Sequence, residues 1–315
     1  MLKYLIIPLA NDAVSFCHYE RGNKSDGLID IDTLKKAIFW AMTENLNVQF
    51  VYPDNEILSE YKAVIDTIDH AKIVGSHCED KMLTDEADIV VFEDWKGLDT
   101  FKYQSGKSYV IRTDKSDLFE NADVIKSLFP KLDRLVVITD IDKFKESDFE
   151  KYEAFLNAII PVVKEEYGKG HSLHFNLLTD RMLLDKMNNC NAGDESITLA
   201  PDGKFYICPA FYLDGSSAVG DLENGFDIKN QQLYHLDHAP ICRKCDAWQC
   251  RRCVWLNCKT TLEVNTPSHE QCVVAHIERN ASRRLLEEIR TLGEFLPEKE
   301  IKEIDYLDPF EKVYL

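Results

Sequence analysis

The spacing of apolar and polar residues changes period repeatedly along the first half of the chain. Lys3–Leu9 is a mostly apolar run, the mark of a buried strand. Thr33–Asn45 carries Leu34, Ala37, Ile38 and Ala41 at helical spacing, with Asp32 before it as the expected N-cap. Val48–Tyr52, Ala71–Val74, Asp88–Phe92, Ser108–Arg112 and Arg134–Thr139 read as further strands. Ser59–Ile68 and Ser147–Tyr167 read as helices, the second with a kink at Pro161, and Ser172–Leu178 closes the series. Short buried strands alternating with helices predict an α/β fold with a parallel sheet. A partial (β/α) barrel fits the number of units, ahead of a doubly wound open sheet.

The pattern then changes. Ile197–Ala200, Pro201-Asp202-Gly203 and Lys204–Ile207 predict a β-hairpin around a turn. Thr266-Pro267-Ser268 predicts a helix start, with Pro267 in the first turn. Val273, Ile277, Ala281, Leu285 and Ile289 then repeat every four residues, an amphipathic helix running to about Leu292 and ended by Gly293. The tail, Pro297–Leu315, mixes Glu and Lys with Ile301, Ile304, Tyr306, Leu307, Phe310 and Tyr314, a segment able to dock on its own domain or on a partner.

Composition narrows the function. The chain has 315 residues, 45% apolar and 29% charged, with a formal net charge of −18. That apolar content excludes wholesale disorder. The acidic balance disfavours non-specific binding to nucleic acid or to an anionic membrane surface. No apolar stretch is long enough to span a bilayer, and the N-terminal run reads as a strand rather than a signal peptide. The cytoplasm is therefore the expected compartment, where disulfides are disfavoured.

Ten cysteines then demand another explanation, and eight of them fall late: Cys190, Cys208, Cys242, Cys245, Cys250, Cys253, Cys258 and Cys272. They place a boundary near residue 185 and predict three segments: a barrel over 1–185, a cysteine-rich domain over 186–275, and a C-terminal helix and acidic tail over 276–315. Each Cys-x2-Cys pair sets two thiolates on one tight turn, facing one metal or cluster, and eight thiols equal two four-ligand sites. Structural zinc also takes four-cysteine sites, but its pairs are usually parted by a longer loop than the four residues between Cys245 and Cys250. Iron–sulfur is the favoured cofactor, two 4Fe-4S clusters, with zinc the alternative.

The arrangement Cys190-x12-Gly203-x4-Cys208, then the dense run Cys242–Cys258, then Cys272, resembles the SPASM domain. That domain follows the barrel of radical SAM peptide-modifying enzymes and carries auxiliary 4Fe-4S clusters. Cys250-Arg-Arg-Cys253-Val-Trp-Leu-Asn257 and Asn265-Thr-Pro-Ser-His-Glu-Gln-Cys272, with Lys3–Leu9 and Ser15-Phe-Cys-His-Tyr-Glu20, resemble the CXXX-repeat peptide maturase family. The resemblance implies that Cys242, Cys245, Cys250 and Cys272 hold one cluster and Cys190, Cys208, Cys253 and Cys258 the other, with Cys250 and Cys253 exchangeable. The x4, x2 and x4 spacers of this chain depart from the SPASM pattern.

A radical SAM core needs Cys-x3-Cys-x2-Cys after its first strand. Cys17 stands in the right place, but the next two positions are Arg21 and Lys24, and Tyr52-Pro-Asp-Asn-Glu56 replaces the Gly-Gly-Glu segment. One thiolate cannot hold that cluster. S-adenosylmethionine is therefore not expected, and the chain reads as no self-sufficient radical SAM enzyme. Cys17-His18 and His77-Cys78 follow the first and third strands, as barrel-mouth nucleophiles, metal ligands or ordinary loop residues. Asp54, Asp94, Asp114, Asp140 and Asp180 sit at strand ends, where helix capping alone accounts for Asp. His269, Cys272 and His276 share one helix face. Arg243, Lys244, Arg251 and Arg252 surround the cysteines, to offset cluster charge, hold an acidic peptide or simply meet solvent.

The resemblance implies a component in the maturation of a ribosomally made cysteine-rich peptide that relays electrons or holds a substrate thiolate, and the missing loop cysteines imply a radical SAM partner protein. The alternatives are a non-catalytic scaffold for the precursor peptide, or a zinc-stabilised protein with unrelated barrel chemistry.

Overall fold

The computed structural model of the chain describes residues 1–22 and 27–302. Lys24, and Ile304, Tyr306, Leu307, Phe310 and Tyr314 of the tail, lie outside the described residues. In chain order the elements begin β1 (Tyr4–Pro8), α1 (Ile31–Thr43), β2 (Asn47–Val51), α2 (Ser59–Ile65), β3 (His70–Gly75), α3 (Lys81–Glu86) and β4 (Ile89–Phe92). There follow β5 (Ser108–Thr113), α4 (Lys115–Glu120), α5 (Ala122–Leu128), β6 (Arg134–Thr139), α6 (Glu146–Gly168), β7 (His174–Phe175) and α7 (Asp180–Leu183). The chain ends with β8 (Ser196–Leu199), β9 (Lys204–Tyr206), α8 (Pro209–Leu213), β10 (Gly220–Asp221), β11 (Gly225–Phe226), α9 (Val254–Thr261) and α10 (His269–Arg290).

These elements form two compact units. The first comprises Met1–Glu93 and Asn191–His238, the second Asp94–Cys190 and Ala239–Leu315. In the first, the strand order is β11-β10-β9-β8-β1-β2-β3-β4. β8, β1, β2, β3 and β4 run parallel, with Tyr4 opposite both Asn47 and Ser196. β8 and β9 form the antiparallel hairpin that the sequence predicts, with Gly203 at φ +78 supplying a turn conformation that L side chains rarely adopt. In the second unit β5, β6 and β7 are parallel. Strands such as β6 read as apolar runs because Leu135, Val136, Val137 and Ile138 are all buried, as expected of parallel strands covered on both faces.

The long helices pack as their stripes predict. Val273, Ile277, Ala281, Leu285 and Ile289 of α10 are buried, the four larger side chains each worth about 1.5–3 kcal/mol of apolar burial. Tyr152 of α6 donates to Glu278 of α10 at 2.6 Å, and Arg284 and Glu153 pair at 3.0 Å. Pro161 lies inside α6, which is one unbroken element.

Several boundaries differ from the sequence reading for local reasons. Asp30, not Asp32, caps α1, accepting from the Thr33 backbone N–H at 2.9 Å; Asp32 sits in the first turn. Ser268 caps α10, completing a capping box with Gln271, so Pro267 precedes the cap. The helix ends at Arg290, before Gly293. α2 stops at Ile65, and β7 keeps only two residues of Ser172–Leu178. The short helices α3, α4 and α5 carry too few turns to show a period. Among the described residues no helix is long and apolar enough to cross a membrane.

Candidate metal centre

The late cysteines are carried mostly by the second unit. A short 3-10 turn over Cys242–Lys244 presents Cys242, and the Cys245 N–H closes that turn onto the Cys242 carbonyl at 3.0 Å. The Cys250 N–H bonds the Ala247 carbonyl at 3.0 Å, so two tight turns in succession carry Cys242, Cys245 and Cys250. Cys272 stands buried in the first turns of α10. One turn along α10, His276 places Nε2 3.5 Å from the Cys245 Sγ, which also accepts the Ala247 N–H at 3.4 Å. Cys190 bonds the Arg251 carbonyl through its N–H, at 2.9 Å. Cys253 caps α9, accepting from the Leu256 N–H at 3.5 Å, and Cys258 lies within that helix. Cys208 belongs to the first unit, before α8.

All ten cysteines are thiols rather than disulfides. Among the described residues, no three Cys, His, Asp or Glu side chains stand close enough to hold a metal ion as they are. The chemistry of the donor set nevertheless fits a thiolate-bound centre. Burial pushes the Cys242 thiol up to about 12, with the neighbouring Cys245 adding to the rise. Burial also raises Cys250, which feels Cys242 and Cys245 in turn, and raises Cys245. Cys242 is buried and Cys245 and Cys250 are half-buried, and thiols held up in this way ionise more readily when a bound cation joins them. Positive charge is already at hand: Arg252 acts on Cys242, and Arg181 and Arg279 act on Cys245, each toward the thiolate.

Arg252 was legible as part of the basic surround, and it is buried; Arg243 and Lys244 are exposed and Arg251 half-buried. Arg181, Asp246 and Arg279 were not legible. Arg279 is wholly buried and grips the Asp246 carboxylate with Nε at 3.0 and 3.1 Å and Nη2 at 2.7 Å. Arg181 lies 4.1 Å over the Trp248 ring and 3.6 Å from the same carboxylate. One signal was present in the sequence: Arg279 continues the Cys272–His276 face of α10, a charge on an otherwise apolar stripe. Gln249, beside Cys250, reaches the Ala275 carbonyl at 2.6 Å and Glu278 at 3.3 Å, tying the cysteine turns to α10.

In the first unit the loop after β1 is held by ion pairs. After β1, Arg21 stands four residues beyond Cys17. Its Nη1 meets Asp54 at 2.6 Å beyond the end of β2, and its Nη2 meets Glu93 at 3.0 Å just past β4. Gly75, ending β3, leaves the room for this: a Cβ there would lie 2.5 Å from the Asp54 Oδ1. Cys17 and His18 are half-buried, Cys78 is buried and His77 exposed, so the second thiol–imidazole pair is divided between core and surface. Of the other strand-end acids, Asp114 caps α4 and Asp94 accepts from the Lys96 N–H at 2.9 Å. Asp140 accepts from the Lys115 N–H at 2.8 Å, and Asp180 is buried 3.8 Å from Arg134. His269 is exposed, with its ring 6.0 Å from that of Phe149.

No family model and no curated protein matches this sequence. Solved structures do. A hexahistidine-tagged anSMEcpe with bound AdoMet aligns over 91% of this chain and 98% of its own, with a TM-score of 0.63 and 14% identity. Native anSMEcpe with bound AdoMet and the Cp18Cys peptide aligns over 92% and 99%, with a TM-score of 0.61 and 15% identity. The chain has the fold of anSMEcpe. That is a radical SAM-like, mixed α/β fold with parallel strands, as the sequence predicts, and anSMEcpe matches it along nearly its whole length. Streptococcus suis SuiB bound to S-adenosylmethionine aligns over 86% of this chain and 75% of its own, with a TM-score of 0.48 and 11% identity.

Proposed function

We propose that this chain is a component in the maturation of a ribosomally made cysteine-rich peptide, of the CXXX-repeat kind, and works beside a radical SAM partner protein. It carries a thiolate-bound iron–sulfur centre on Cys242, Cys245, Cys250 and Cys272. In this division residues 1–185 are the radical SAM-like part, 186–275 carry the cysteines, and 276–315 form the closing helix and tail. Such a centre, when bound, supplies one-electron transfer or an iron that a substrate thiolate can occupy. The chain's own part is to hold the four thiolates, exclude water from them and offset their charge.

The observation that carries this reading is Arg21. A guanidinium stands where a second cluster cysteine is needed, and it is tied to Asp54 and Glu93, an ion-pair network that supports the reading of a chain without its own radical-generating cluster. The cysteine turns of the second unit are kept, in a fold shared with anSMEcpe, a protein solved with both AdoMet and a peptide bound. That peptide supports peptide binding for this chain as well. The test is turnover of a cysteine-repeat peptide with S-adenosylmethionine, with and without a radical SAM partner. Modification only in the partner's presence is expected; modification by this chain alone overturns the reading.

A further inference from the structure

Burying an unbalanced charge is expensive, several kcal/mol even after relaxation, so an excess of one sign inside a protein points to an opposite charge that balances it. The surroundings of Cys245 hold such an excess. Arg181 and Arg279 are 2% and 0% exposed, and they share one carboxylate, Asp246, the residue that follows Cys245. Arg279 takes most of that carboxylate, with its Nη1 on Asn280 at 2.8 Å. Arg181 is left with one long contact to it and an aromatic ring. Its Nε and Nη1 are buried and have no hydrogen-bond partner among the described residues. The remaining acids close by are engaged elsewhere: Asp180 faces Arg134, and Glu278 accepts from Tyr152 and Gln249. Two guanidiniums and one carboxylate leave one positive charge, held on the residue that follows Cys245, whose sulfur lies 3.5 Å from the Nε2 of His276, one turn before Arg279 on α10.

We propose that Arg181 and Arg279, bridged by Asp246, are the built-in counter-charge of the thiolate-bound centre at Cys245. They are positioning residues: they set how tightly the centre is held and how readily it is reduced, without ligating it. This rests on the metal-centre reading above. A thiolate-bound cluster or zinc site carries net negative charge, which nearby cations stabilise. Net charge beside an iron–sulfur cluster is one of the quantities that fixes its reduction potential. The arrangement is assembled from three separate places, the start of α7, the loop between Cys245 and Cys250, and the middle of α10, so it forms only when the cysteine turns are seated on that helix.

The test uses variants of opposite sign on the full chain. Arg181→Gln removes a positive charge, Asp246→Asn removes a negative one, and Arg181→Lys keeps the charge. The first readout is affinity for cobalt(II), followed by its thiolate charge-transfer absorption, which works for an iron or a zinc site alike. The second is the midpoint potential of anaerobically reconstituted protein by EPR-monitored titration. Arg181→Gln is expected to weaken cobalt binding about tenfold or more and to lower the potential. Asp246→Asn is expected to raise the potential, and Arg181→Lys to return both quantities toward the wild type. Loss of packing alone would move both variants the same way, so shifts of the same sign overturn the proposal, as does an unchanged Arg181→Gln. If Arg181→Gln does not fold, Asp246→Asn decides alone: a raised potential supports the proposal, a lowered or unchanged one overturns it. If the wild-type chain takes up neither metal through its thiolates, the metal-centre reading fails and this proposal falls with it. If the wild type binds metal and the variants bind it equally, only this proposal fails.

Discussion

Arg21 in the first unit and Arg181 in the second are both held beside carboxylates at the ends of core elements, yet the two sites balance charge in opposite ways. Arg21 meets two carboxylates, Asp54 and Glu93, and the network is satisfied by the protein alone. Arg181 shares a single carboxylate, on the residue that follows Cys245, with Arg279 and keeps unpartnered donors in the interior. A self-balanced site can be purely structural. A site with leftover buried charge is built for something further, and the neighbouring cysteines say what that is. The fold alone would have suggested the reverse, because a radical SAM-like fold directs attention to the loop after β1.

The largest effect should come from the cysteines themselves. Cys245→Ala is expected to remove about one cluster's worth of iron from anaerobically prepared protein, whereas Cys17→Ala leaves the iron content unchanged. Equal loss in both variants would erase the contrast between the units. Glu278 comes next. Burial, opposed by the hydrogen bonds from Tyr152 and Gln249, pushes its carboxyl up to about 7 from an ordinary 4.5. The folded chain therefore holds a proton that the unfolded chain releases, so the stabilisation is full below the ordinary value and is lost as pH rises through 7. The swing is on the order of 3 kcal/mol. Urea denaturation at about pH 5 and about pH 8 should show this loss in the wild type and a flatter response in Glu278→Gln.

Arg21→Ala should cost about 2 kcal/mol, between the worth of exposed and fully buried ion pairs, because it strands Asp54 and Glu93 near each other. The iron content should stay as it was, read together with the fall in Tm. A loss of iron on removing Arg21 would mean that the first unit is not merely self-balanced. The smallest effects calibrate the scale. Ser268→Ala at the cap of α10 should cost about 1 kcal/mol, and Asp30→Ala should lower the stability of α1 more than Asp32→Ala does.

Much of this architecture was legible in the sequence. The buried runs gave β1 to β6, because parallel strands covered on both faces show as unbroken apolar stretches, and the four-residue repeat gave α10. The cap of α1 was misread by two residues, since Asp30 and Asp32 offer the same chemistry and only backbone geometry separates them. The cysteine turns were visible as spacings, and the missing loop cysteines as Arg21 and Lys24. The role of Arg21 was not visible, because its partners Asp54 and Glu93 are brought to it by strand pairing. Arg181 and Arg279 were hidden for the same reason: each is an ordinary arginine until the fold buries both on Asp246.

Iron and acid-labile sulfide in the wild-type chain, purified without oxygen, test the central claim most directly. The account predicts a brown protein holding iron and sulfide in near-equal amounts, which Cys245→Ala diminishes and Cys17→Ala does not. A colourless protein that holds zinc and no sulfide would contradict it.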